Sequence, residues 1–262
     1  MTNTPKYNAE WRRLSDMPVP KWEPASIVLD NKMYVHGGYE TGIVSGKNLH
    51  VFDPEGSSHG TWEKLQDLPS DISHVNLAPG LTGFWFAGGM KDMDRPRGIK
   101  DHIVAEFWHF DPELDRFSAG PLLPGRRAGG GLVRLGDNLH YISGLMEDRD
   151  TDSGDHWVFN LKDWDRDQSA QWEKIAPLPN PRNQLSVTVL NDKIYQLTWK
   201  EGRGLIYNVN TFETLGSFNY GQSKEGWGLC NDCRQLYKTD GSENIWILNA
   251  ETLQEERFVQ AY

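Results

Sequence analysis

The sequence predicts an all-β fold, a five-bladed β-propeller made of four-stranded antiparallel blades. Three observations point to it. Apolar residues recur at spacing two, not at three and four, so the chain reads as strands. The strand pattern returns after roughly 40 to 55 residues, the period of a propeller blade and longer than that of a solenoid repeat. The 262 residues include 11 Trp, 9 Tyr and 10 Phe, an aromatic load that suits strands and fills a core.

The second strand of each unit aligns best: "NKMYVHGG" from Asn31, "TGFWFAGG" from Thr82, "DNLHYISG" from Asp137, "DKIYQLTW" from Asp192 and "RQLYKTDG" from Arg234. A shorter strand-forming run precedes it, such as "ASIVLD" or "LSVTVLN", and a third strand follows: "NLHVFDP", "EFWHFDP", "DHWVFNL", "GLIYNVN", "NIWILNA". Those third strands end on Asp53, Asp111, Asn160, Asn208 and Asn249, residues whose side chains bond the backbone of a following turn. Fourth strands are "TWEKLQDLP", "RFSAGPLLP" and "QWEKIAPLP". The expected blades are 19–70, 71–124, 125–181, 182–220 and 221–262, together one domain over 1–262. "EWRRLSDMP" (Glu10 to Pro18) reads as a fourth strand without its first three, while "ERFVQAY" already supplies one to the last unit. Residues 10–17 are therefore expected to dock on the third strand of the fifth unit or beside its C-terminal strand, bringing the termini together near the last blade.

The net charge of −10 argues against nucleic acid as the main partner, since binding phosphates needs a basic face. The sequence holds no apolar run of the ~20 residues a membrane span needs, and "MTNTPKYNAEW" lacks a signal-peptide core, so a cytoplasmic monomer without membrane partners is expected. Cys230 and Cys233 are spaced CxxC, yet no second pair completes a zinc site, and "LCNDCRQLY" reads as strand, turn, strand. The acidic run "EDRDTDSGD" offers Asp148, Asp150 and Asp152, but Ser153 and Phe159 stand where a calcium loop needs Gly and Glu; a solvated loop is expected. "RAGGGL" (Arg127 to Leu132) has neither the Lys-Ser/Thr nor the helix of a phosphate loop. The eight histidines show no HxxxH or HxH spacing and are expected in loops or solvent; no cofactor or metal is expected.

The doublets Gly37-Gly38 and Gly88-Gly89 end second strands, and the aromatics Trp62, Phe117 and Trp172 fall in the fourth strand. With them come the "DLP" or "PLP" exits, followed in two cases by Arg127 and Arg182. Through these features the first three units resemble kelch repeats over residues 10–190. The third unit departs from the pattern with Ser143 before Gly144. The resemblance implies protein binding through the long loops 39–47, 90–105 and 145–154.

From Asp192 onward the chain is similar to the plant and bacterial glutaminyl cyclotransferases, through "LTWKEG" (Leu197 to Gly202), "EGWGL" (Glu225 to Leu229) and "DGS" (Asp240 to Ser242). That family consists of five-bladed propellers that convert an N-terminal glutamine to pyroglutamate. The resemblance implies a general-base glutamate about fourteen residues before the tryptophan of "LTWK"; here that position is Leu185, which cannot accept a proton. What the resemblance leaves is a residual pocket wall of Trp199, Lys200, Glu225, Trp227 and Asp240, with packing of both tryptophans between blades as the alternative. The two likenesses meet inside "NDKIYQLTWKEG", which predicts an engineered hybrid propeller scaffold without native catalysis. The alternatives are a kelch-type protein-interaction module and residual cyclotransferase activity.

Overall fold

The computed structural model describes residues 10–40, 44–91 and 102–260. It contains five four-stranded antiparallel sheets, each with its strands in sequence order, and its fold class is that of a five-bladed β-propeller. The chain forms two compact units, residues 13–184 and residues 1–12 with 185–262.

The larger unit carries three blades. The first is β1 (Ala25–Leu29), β2 (Lys32–His36), β3 (Leu49–Asp53) and β4 (Thr61–Lys64); the second is β5 (Leu77–Pro79), β6 (Phe84–Ala87), β7 (Phe107–Asp111) and β8 (Arg116–Ala119). The third is β9 (Gly131–Leu135), β10 (Asn138–Ile142), β11 (His156–Asn160) and β12 (Glu173–Lys174), with a helix, α1 (Leu161–Asp167), between its last two strands. First strands of successive blades lie side by side, β1 against β5 and β5 against β9. The other unit carries β13 (Val187–Leu190), β14 (Lys193–Leu197), β15 (Arg203–Asn208) and β16 (Thr214–Asn219), then β17 (Leu229–Asn231), β18 (Gln235–Thr239), β19 (Asn244–Asn249) and β20 (Glu255–Gln260). Here β13 lies against β17.

Every third strand ends as its Asp or Asn predicts. Asp53 accepts from Glu55 N, Asp111 from Glu113 N and Leu114 N, Asn208 from Asn210 N and Thr211 N, and Asn249 from Glu251 N and Thr252 N. Asn160 does the same for Asp163 N, but there the turn continues into α1, with Asn160 as its N-cap. The helix has no counterpart in the sequence reading, because seven residues are too few to show a helical period. The fourth-strand aromatics lie against a third-strand phenylalanine: Trp62 on Phe52, Phe117 on Phe110 and Trp172 on Phe159, with centroids 4.9, 4.7 and 5.2 Å apart.

The glycine doublets join blade to blade. The N–H of Gly38 donates to Ile72 O, that of Gly89 to Arg127 O and that of Gly144 to Arg182 O, each acceptor lying in the segment that enters the next blade. A Cβ on Gly37 would stand 2.6 Å from Ile72 O, and one on Gly88 2.3 Å from Arg127 O. Both first glycines also have positive φ, so a side chain at either would be strained as well as crowded. Ser143 takes the first position at φ 65°, and its hydroxyl stands 2.6 Å from both Ser153 O and Arg182 O, with one proton to give to either. Beyond each doublet the chain pairs again: Tyr39 bridges Trp22 and Ser45, Met90 bridges Ser73 and Ile103, and Leu145 bridges Ala128 and Asp152. Loop residues 41–43 and 92–101 lie outside the described residues.

One expectation is met in part and another is corrected. The described residues 10–17 form no strand, yet Trp11 Nε1 donates to Gln260 O at 2.6 Å on the C-terminal strand, as expected, while Ser15 N bonds His59 O beside β4. β20 fills the outer place of its sheet. The histidines are not all in loops or solvent: His36, His50, His140 and His156 are buried. His140 Nδ1 lies 3.1 Å from His156 Nε2 across β10 and β11, a pairing that sequence spacing does not show. Burial lowers their pKa values to about 3 for His36 and His140 and about 4 for His156.

Candidate functional site

In the fourth blade the chain leaves β14 at Thr198 and returns in β15 at Arg203, so the long extension of the earlier blades is replaced by a tight turn. A turn this short requires no double glycine. The close approach is made from the other side. Gly226 N donates to Trp199 O at 3.0 Å, and a Cβ on Gly226 would stand 2.7 Å from Thr198 O. Tyr220 secures the same turn, its hydroxyl donating to Thr198 O at 2.8 Å and accepting from Thr198 N at 2.9 Å.

Turn 198–202 and the segment before β17 thus bring together four of the five residues expected in the pocket wall. Trp199 Nε1 and Trp227 Nε1 both donate to Glu225 Oε2, at 2.7 and 2.8 Å. Lys200 Nζ stands 4.1 Å from the centroid of the Trp199 ring. The two tryptophans are 51% and 56% exposed, so they do not pack between blades. The indole donors, Trp227 foremost, hold the Glu225 carboxyl below its ordinary range, with Lys200 assisting and Asp240 opposing. Asp240 itself turns to Ser242, accepting from its N and Oγ. Gly241, at φ 80°, lies under Trp227; a Cβ there would meet the indole at 2.8 Å. Leu185, at the position the resemblance gives to the general base, is a buried apolar side chain.

Beneath this surface lies a buried ionic group that the sequence reading missed. Lys238 Nζ donates to Ser223 Oγ and, at 3.2 Å, to Glu225 O; it stands 3.4 Å from Glu255 and 4.0 Å from the Tyr220 ring centroid. Glu255 accepts from Ser223 Oγ and from Gln222 N. Neither Lys238 nor Glu255 side chain reaches solvent, and desolvation lowers the lysine pKa. The signal was present in "QLYKT": Lys238 shares the inward phase of the strand with Leu236.

The other candidates are placed as follows. Asp148 accepts from Asp150 N, Thr151 N and Thr151 Oγ1 and so ties down its own loop, while Asp152 accepts from Asn183 in the segment that enters the next blade. Cys230 on β17 and Cys233 in the following turn are exposed free thiols. Among the described residues, no helix is long and apolar enough to cross a membrane.

Comparison with known proteins gives two likenesses. The glutamine cyclotransferase family matches residues 160–262. Kelch-like protein terF of Aspergillus terreus is 22% identical and covers 83% of this chain and 48% of its own length. Kelch-like protein 35 of Mus musculus is 24% identical over 74% of this chain and 30% of its own. Glutaminyl-peptide cyclotransferase of Arabidopsis thaliana is 23% identical over 64% of this chain and 45% of its own. The chain therefore spans less than half the length of these curated relatives. The solved structure of YjhT superposes with a TM-score of 0.69 at 15% identity, covering 93% of this chain and 82% of that one, which shows the shared fold. The kelch likeness to terF covers too large a share of the chain to fit within residues 10–190, and the cyclotransferase match begins at residue 160. The two likenesses overlap along the chain.

Proposed function

We propose that this protein is a binding propeller without catalytic turnover, its kelch-type blades serving protein recognition. The observation that carries this reading is the paired extension beyond each glycine doublet. On the first blade it holds Trp22 and Val44, 68% and 54% exposed, on backbone already bonded through Tyr39. Large apolar side chains displayed on hydrogen-bonded backbone are what a protein interface uses. The names of the kelch-like relatives support the same reading. The test is partner capture by the full chain, compared with the Trp22→Ala/Val44→Ser variant at an unchanged melting temperature. Capture is expected to be lost in the variant; retention overturns the assignment.

The surface of Trp199, Lys200, Glu225, Trp227 and Asp240 supports a second reading, a ligand platform that lacks the cyclotransferase base. Its two exposed indoles, pinned to one carboxylate, favour this reading. A peptide beginning with glutamine is expected to quench tryptophan fluorescence and release no ammonia. Ammonia release at the rate of a natural glutaminyl cyclase overturns the non-catalytic reading. As to origin, the overlap of the two likenesses favours one continuous repeat whose connection between second and third strands shortens after the third blade. An engineered join at Asp192 remains the competing account, and full-length natural relatives carrying both features would exclude it.

A further inference from the structure

Helix α1 sets the third blade apart. In the other blades the third and fourth strands are joined by turns at residues 54–60, 112–115, 209–213 and 250–254. Within the larger unit α1 stands over the second blade and walls one side of an open cavity of about 140 Å³. Its walls are the β5–β6 turn at Leu81 and Thr82, Trp85 and His109 from the second blade, and Trp164, Asp165 and Gln168 from the helix side.

The walls have a definite chemistry. Trp85 is fixed in place, stacked on Phe107 at 4.3 Å and flanked by His109 at 4.7 Å. Trp164 meets it at 80°, so the two indoles form a corner. His109 Nε2 lies 2.7 Å from Thr82 O, so Nε2 carries a proton and donates to that carbonyl. Of the three acids on this helix, Asp163 and Asp167 are both paired with Arg166. Asp165 lines the cavity and has no ion-pair partner among the described residues. Aromatic walls and one uncompensated carboxylate select a positive charge over a neutral or negative one.

We infer that the cavity between α1 and the second blade is a binding site for a small organic cation of the ammonium type, held by Asp165 against the Trp85–Trp164 corner. This site belongs to the larger unit and is independent of the Trp199–Trp227 platform.

Choline is a suitable probe, titrated into the full chain and followed by NMR of the indole N–H groups, with Trp164 assigned through Trp164→Phe. The expected result is a saturable shift of the Trp85 and Trp164 signals. The uncharged analogue, with carbon in place of the ammonium nitrogen, should bind about tenfold more weakly, since it loses both the cation–π and the carboxylate attraction. Asp165→Asn should weaken choline to a similar degree, while Asp163→Asn leaves it unchanged; both residues are on the surface, so both variants fold. Equal binding of choline and its analogue, wild-type affinity in Asp165→Asn, or shifts confined to Trp199 and Trp227 would each overturn the assignment.

Discussion

Mild acid is expected to destabilise this protein, and its buried imidazoles set the window. His36, His140 and His156 hold pKa values of about 3, 3 and 4 because burial penalises their charged forms. His36 packs edge-on against Phe86 at 4.4 Å. His156 Nδ1 lies 3.1 Å from Ala176 O, and its Nε2 faces His140. In the unfolded chain each histidine titrates near ~6.5. Below that pH the unfolded state binds protons that the folded state refuses, so stability falls as pH drops from ~6.5 toward ~4 and is untouched by these groups above ~7.5. From about pH 7 to about pH 5.5 the loss comes to about 1.3 kcal/mol for each histidine, or about 4 kcal/mol for the three. Urea unfolding followed by tryptophan fluorescence across that range measures it. His36→Phe should remove about one third of the pH dependence while leaving the rest intact. A slope unchanged by His36→Phe, or a His36 ring proton that titrates in the folded protein near ~6.5, would refute the reasoning.

Three further outcomes are expected. Lys238→Met leaves Glu255 buried without its cation and should cost about 3–5 kcal/mol, most of it recovered in Lys238→Met/Glu255→Leu; urea midpoints of the two variants decide this. Gly226→Ala drives a methyl group onto Tyr220 Oη and Thr198 O and should cost about 1–3 kcal/mol, read from thermal unfolding. Glu225→Gln removes the shared anionic acceptor of both indoles, so the fluorescence of Trp199 and Trp227 should shift while the melting temperature holds.

The repeat was legible because its signals are local. Alternating apolar residues mark strands, the Asp or Asn at each third-strand end marks a turn, and the doublet at Gly37-Gly38 marks a bend. What escaped depends on distant partners. His140 and His156 lie sixteen residues apart and meet only through the register of two strands. The ionic group at Lys238 needs Ser223 and Glu255, which approach it only once β17 to β20 are paired. Residues 10–17 carry a strand-like pattern, yet β20 already occupies the place they would take, a competition decided by the sheet and not by propensity. At the candidate site the two tryptophans and the carboxylate were legible as motifs. Their convergence on a single oxygen was not, because it depends on Gly226 admitting the turn at Thr198.

The entries into the blades also differ in how they grip. Ile72 takes the N–H of Gly38 on its carbonyl and gives its own N–H to Gly46 O, and Arg127 does the same with Gly89 N and Val104 O. At Arg182 the carbonyl accepts from Gly144 N while the N–H goes to Ser143 Oγ, a side chain in place of backbone. At the fifth entry the reach is made by the N–H of Gly226 to Trp199 O. A blade of the first kind spliced in after the fourth would have to trade the two-way clasp of Ile72 or Arg127 for that single handle.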